Sequence, residues 1–307
     1  MSKEQIGVLV MSYGTPEKKE QVEAYYTHIR RGNPPTPEQL AELTGRYEAI
    51  AGGVFPLREN TNRQVEALQE TLNREHPEYD FRCYQGLKHA SPFIEDGISQ
   101  MAKDGIKRAI GIVLAPHYSV MSIGGYIQRA KAKSDELGIE LTCVESYHMH
   151  SKLLTLLTER VQSALQRFDG EKVRMIFSAH SLPAKILEMG DPYQDQLLES
   201  SKAVAEAAGI EEWQFAWQSA GRTAVPWLGP DITDVLATLH HEEQVKNVLL
   251  CPIGFVSDHL EVLYDVDIEC QAICKGLGMH LERTESLNDH PLYIETLSDC
   301  VYQLLKQ

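Results

Sequence analysis

Short apolar runs alternate with charged segments of 3.6-residue periodicity along the whole chain, and this alternation limits the fold more than any other feature. Runs at 6–12, 81–85, 109–114 and 141–144 read as strands in the first half, and runs at 173–178, 213–217, 248–253 and 279–283 in the second. Segments at 18–30, 37–49, 64–74 and 153–168 carry helical periodicity between them. Strand and helix in alternation predict parallel sheets with helical crossovers. The halves echo each other: the first strand ends in S-Y-G-T-P (12–16) and the fifth in S-A-H-S-L-P (178–183), while the third runs into A-P-H-Y-S (115–119) and the seventh into C-P-I-G-F (251–255). The expected class is α/β, with two similar Rossmann-like domains, each a four-stranded parallel sheet flanked by helices, and a cleft between them. The domains are expected at 1–146 and 147–288, with a closing helix at about 289–307 packing on the first. Ligands of such folds sit beyond the carboxyl ends of the strands.

Composition agrees with two packed domains: 307 residues, 43% hydrophobic and 24% charged. The net charge of −15 argues against nucleic-acid binding, which wants a basic face. The apolar stretch near the N-terminus is too short for a secretion signal, and no segment reaches the roughly 18 apolar residues of a membrane span. A soluble, cytoplasmic protein is expected. The six cysteines are dispersed with no C-x-x-C pair, so reduced thiols are expected and an iron–sulfur cluster is not. No G-x-G-x-x-G, G-x-x-x-x-G-K-[ST] or G-x-S-x-G occurs, which argues against nucleotide enzymes and α/β-hydrolases.

Four constellations carry chemistry. In D-H-L-E-V-L-Y-D-V-D-I-E-C (258–270), Glu261, Asp265 and Glu269 fall at i, i+4 and i+8. On an α-helix successive members rotate by only about 40°, giving one carboxylate stripe. Like charges at that spacing repel unless a cation offsets them. The stripe reads either as a solvated acidic face or as a ladder passing divalent cations or protons. His180 follows an apolar strand, placed to act as base or metal ligand, or else as a histidine satisfied by a turn. His117 has the same placement and a weaker case. Arg30, Arg31 and Arg46 lie near helix C-termini, where they suit carboxylates or simply the helix dipole. The stretch 217–231, W-Q-S-A-G-R-T-A-V-P-W-L-G-P-D, reads as a shaped loop leading into a helix, as a cleft wall or as packing.

Together with Y-Y-T-H-I-R-R-G, R-Y-E-A-I, G-L-K-H, D-P-Y and G-F-V-S-D-H-L-E-V-L-Y-D, these motifs resemble the ferrochelatase family from end to end, most nearly the soluble enzymes of Gram-positive bacteria. The resemblance implies insertion of Fe(II), as substrate, into a free-base porphyrin with release of two protons and no prosthetic group. It implies that His180 and Glu261 are catalytic and meet the metal, with Asp265 and Glu269 continuing the acidic row. It leaves room for an outer divalent cation such as magnesium at Asp265 and Glu269. Tyr13, Arg30, Arg31, Arg46, Ser122 and Tyr126 are implied to bind the porphyrin. Tyr13 favours coproporphyrin III, giving coproheme, over protoporphyrin IX. Phe55, where the family usually has serine, removes a hydroxyl from the propionate side; an additional residue near Ala51 and Ala220 in the W-Q-S loop are further departures. The implied partners are porphyrin, ferrous iron and a downstream haem enzyme; a monomer is expected because nothing in the sequence marks a coiled coil or an amphipathic anchor. The rivals are a tetrapyrrole carrier, a cobalt or nickel chelatase and a metal-dependent hydrolase; H-E-x-x-H, which the last would want, is absent.

Overall fold

A computed structural model describes residues 3–50, 55–221 and 223–307. Gly52, Gly53 and Val54 of the G-G-V-F-P-L stretch and the insertion near Ala51 lie outside the described residues, as does Arg222. The chain divides into two compact units. One comprises Met1–Pro116, Ser122–Tyr147 and Asn288–Gln307; the other comprises His117–Met121 and His148–Leu287.

In the first unit β1 (Glu4–Ser12), β2 (Tyr79–Leu87), β3 (Arg108–Val113) and β4 (Glu140–Cys143) form one sheet in the order β2-β1-β3-β4. Every pair is parallel, with Ile6 opposite Phe81 on one side of β1 and opposite Arg108 on the other. Val8 through Met11 are fully buried, as expected of a central strand covered on both faces. The helices are α1 (Val22–Ile29), α2 (Pro37–Ala49), α3 (Pro56–Glu75), α4 (Ile94–Lys103) and α5 (Ile123–Leu137). Thr36 and Gln39 close a capping box at the start of α2, and Pro37 takes the first helical position, where its missing N–H costs nothing.

In the second unit β5 (Arg174–His180), β6 (Trp213–Gln218), β7 (Asn247–Cys251) and β8 (His280–Arg283) repeat the plan as β6-β5-β7-β8, again all parallel. The helices are α6 (Ser151–Leu165), α7 (Tyr193–Ala208), α8 (Ile232–His241), α9 (Leu260–Leu263) and α10 (Gln271–Leu277). The last helix, α11 (Pro291–Leu305), belongs to the first unit and packs on α3 and β3. In each sheet the order reverses beside the first strand of its half, so the switch point of the second sheet lies between β5 and β7. His180 is the last residue of β5.

One element departs from the α-helical spacing read for Glu261, Asp265 and Glu269. Between α9 and α10 the chain forms a π-helical segment, Asp265–Cys270. The Glu269 N–H donates to the Tyr264 carbonyl five residues back, at 3.0 Å, and the Ile268 N–H shares that carbonyl at 3.1 Å. Val266, Cys270 and Cys274 sit in the core with Ile176, Val248 and Leu250. The carboxylate stripe therefore does not follow α-helical spacing from Glu261 to Glu269.

Candidate active site

The second unit gathers its reactive side chains at the carboxyl edge of its sheet. His180 Nε2 lies 3.5 Å from Glu261 Oε1, and His259 Nε2 lies 3.6 Å from Glu261 Oε2. One carboxylate thus faces two imidazoles. His180 Nδ1 bonds the Ser181 carbonyl, which leaves Nε2 for Glu261. The Tyr193 hydroxyl donates to the His180 carbonyl at 3.1 Å, fixing the strand end from behind. The Glu261 carbonyl accepts from Gln218 Nε2 at 2.9 Å, and Ser178 donates to the Gln218 amide oxygen at 2.8 Å. A chain of bonds therefore runs from β5 through β6 to the turn that presents Glu261.

Charge follows from this arrangement. Burial alone would lower the His180 pKa, but the Glu261 carboxylate, the Ser181 carbonyl and Asp265 outweigh it and raise the group to about 9. Burial likewise works against ionised Glu261, yet His180 and His259 hold it well below the usual carboxylate range. Each of the two side chains keeps about a third of its surface open, 33% and 34%. An imidazolium–carboxylate pair reachable by a ligand results.

Asp265 is almost fully buried and accepts a hydrogen bond from Ser219, whose backbone takes a left-handed φ of 58°. Among the described residues no three His, Cys, Asp or Glu side chains converge as a ready metal site. The described cysteines are free thiols. The two tryptophans of the 217–231 loop divide. Trp217 is buried against Tyr193 and Phe215, while the half-buried Trp227 ring stands 6.5 Å from that of His180. His117 is buried, takes Ser200 as partner at 2.9 Å and has its pKa pushed down to about 3 by burial and by His148. That is a structural histidine.

In the first unit, Tyr13 is exposed and its ring lies 4.7 Å from that of His89. The left-handed φ of +83° at Gly14, where a Cβ would stand 3.0 Å from Leu87 Cβ, explains the glycine after it. Arg30 caps α1, lies over the Tyr26 ring and bonds the Asn33 carbonyl at 3.2 Å. Arg31 has a left-handed φ of 56°, and Arg46 pairs with Glu42 at 3.5 Å. Ser122 caps α5. Tyr126 is buried, with the Lys88 ammonium 4.7 Å from its ring centroid. Phe55 packs against Tyr47, with 4.6 Å between ring centroids and the planes tilted by 48°.

A family model described as ferrochelatase matches residues 5–305. The chain belongs to the ferrochelatase family. Relatives named coproporphyrin III ferrochelatase include that of Anoxybacillus flavithermus, 48% identical over 100% of this chain and 98% of the relative. That of Bacillus subtilis is 46% identical over 99% of each. Solved structures with the same fold include SirB from Bacillus subtilis with Fe3+, with a TM-score of 0.58, 12% identity and coverage of 99% and 98%. CbiX, the terminal enzyme of sirohaem biosynthesis in denitrifying bacteria, has a TM-score of 0.55, 12% identity and coverage of 97% and 98%. At such identities these two speak for the fold alone. The protein is thus a metal-chelating enzyme of the lyase class. Among the described residues no helix is long and apolar enough to cross a membrane.

His180 and Glu261 stand together, as the resemblance implied. His259, Gln218, Ser219 and Tyr193 escaped sequence reasoning. For His259 a signal existed: the D-H-L-E run places an imidazole two residues before Glu261, within reach across a tight turn. For the others only the fold brings the groups together.

Proposed function

We propose that the protein inserts Fe(II) into coproporphyrin III, yielding coproheme and two protons. The observation that carries this reading is the ion pair of His180 and Glu261 at the carboxyl edge of β5, backed by His259, in a chain matching ferrochelatase across residues 5–305. Relatives at 44–48% identity carry the coproporphyrin III name, and Tyr13 supports the same substrate.

The chemistry follows from charge. Near neutral pH the His180 imidazole holds its proton, so Nε2 must release it before its lone pair meets a dication. The approach of Fe(II) supplies that push, since a neighbouring positive charge disfavours the imidazolium. Glu261 stays ionised and balances the charge entering the site. Two pyrrole protons leave the ring as the metal enters; the Glu261 carboxylate relays them, and the proton shed by His180 Nε2, to solvent and ends ionised. A flat macrocycle resists entry, so binding energy from its carboxylates must distort it. Tyr13, Arg30, Arg31, Arg46, Ser122 and Tyr126 are the residues we assign to that binding. Asp265 and Glu269 form the approach to Glu261. Asp265 and Glu269 would hold an outer divalent cation such as magnesium, which would supply positive charge on that approach; no step runs through it. We read residues 1–146 with helix 289–307 and residues 147–288 as the two domains of a cytoplasmic monomer that passes its product to a downstream haem enzyme.

The test is anaerobic insertion of Fe(II) into coproporphyrin III and protoporphyrin IX in parallel. A kcat/KM higher for coproporphyrin is expected; the reverse order would replace the substrate, and no turnover with either would leave a tetrapyrrole carrier.

A further inference from the structure

β8 ends on Arg283, whose guanidinium is directed at the segment that carries Glu261. Nε and Nη2 donate to the two carboxylate oxygens of Asp267 at 2.6 and 2.8 Å. Nη2 also reaches Asp258 Oδ1 at 3.2 Å, and Nη1 bonds the Thr284 carbonyl at 3.0 Å. The Ser286 hydroxyl donates to the same Asp258 oxygen at 2.8 Å. The Arg283 side chain is only 17% exposed, so the fork is poorly screened by water. Bidentate geometry of this kind fixes direction as well as distance.

The two acceptors bracket the catalytic turn. Asp258 immediately precedes His259, and Asp267 sits midway between Asp265 and Glu269 inside the π segment. A π turn is rare and occurs mostly as a single turn inside an α-helix, frequently at a functional site. Here it also carries Asp265, Asp267 and Glu269 within five residues, charges that repel one another. One guanidinium offsets that repulsion and ties the segment to β8, while Ser219 holds Asp265.

We propose that Arg283 is a positioning residue: its fork on Asp267 and Asp258 holds the π segment so that Glu261 stays against His180 and His259. The proposal rests on Glu261 serving metal insertion. Arg283 acts through the segment and touches neither porphyrin nor metal.

The experiment compares Arg283→Lys, which keeps the charge and loses the fork, with Asp267→Asn in the full chain. It measures kcat and porphyrin KM for iron insertion together with amide hydrogen exchange over 258–270. For both variants kcat should fall on the order of tenfold or more, as for a displaced catalytic group. Porphyrin KM should stay within about twofold, because ground-state binding is untouched. Exchange over 258–270 should accelerate while β1–β4 stay unchanged. The double variant should be no worse than the worse single one, the mark of a shared interaction. Wild-type kcat with wild-type exchange in either variant overturns the proposal. So does a uniform rise in exchange with kcat and KM both impaired, which marks a general structural role. If Arg283→Lys does not fold, Asp267→Asn decides by the same readouts. If the wild-type protein inserts no iron, that failure belongs to the function proposed above, and exchange over 258–270 still decides the clamp.

Discussion

His180 owes its charge to its neighbours. Its pKa is raised to about 9 from an ordinary 6.5, so the pair contributes stability that is fully present below about 6.5 and is lost as pH climbs through 9. Glu261 is shifted the other way from 4.5, so its share is present above 4.5 and is lost on acidification. Between these limits the wild-type Tm should exceed that of Glu261→Gln by its widest margin, and the gap should close above pH 9; a gap independent of pH would contradict the ion pair. His180→Ala should abolish chelation while leaving the circular dichroism spectrum intact, and near-wild-type turnover would remove its role. Phe55, where the resemblance leads one to expect a serine, packs on Tyr47, whose hydroxyl lies 3.1 Å from that of Thr15. Phe55→Ser should lower KM for coproporphyrin III with little change in kcat, as added ground-state contact does; a raised KM would mean that the ring itself supports binding. At this scale the sequence revealed residue types but few partners. Glu261 and His180 are 81 positions apart, and only strand order brings them within 3.5 Å.

Elements were legible where periodicity was set locally. The run at 37–49 became α2 without change because Thr36, Pro37 and Gln39 are local start signals. The eight strands appear within about three residues of their expected ends, because apolar runs between helical segments have one reading in a parallel sheet. The α-helical spacing read for Glu261, Asp265 and Glu269 fails after Tyr264, because i, i+4 spacing carries no record of the tertiary bonds that Arg283 and Ser219 make to Asp267 and Asp265. The loop after β7 shows a related constraint. A Cβ on Gly254 would stand 2.4 Å from Ala179 Cβ and 2.9 Å from Ala179 Cα, one residue before His180. Gly254→Ala should therefore cost about 1–3 kcal/mol by overpacking, read as a lowered Tm, with kcat reduced as well because the clash presses on the strand that presents His180. An unchanged Tm would show that the loop yields freely.

For the whole molecule, one plan occurs twice: sheets ordered β2-β1-β3-β4 and β6-β5-β7-β8, each with its order reversing beside the strand that ends in a reactive motif. The repetition was visible in the paired strand-end motifs, yet the second copy alone carries the ion pair. The net charge of −15 favours approach of a dication over that of a carboxylated ring. Arg30, Arg31 and Arg46 are the basic groups that the proposed function sets against the carboxylates of the ring. The most direct measurement mixes stoichiometric protein, coproporphyrin III and Fe(II) without oxygen and follows the free-base absorption bands through a single turnover. The account predicts that these bands collapse into those of coproheme with wild-type protein and persist with His180→Ala. Tight porphyrin binding with the free-base bands unchanged in the wild-type protein would contradict it.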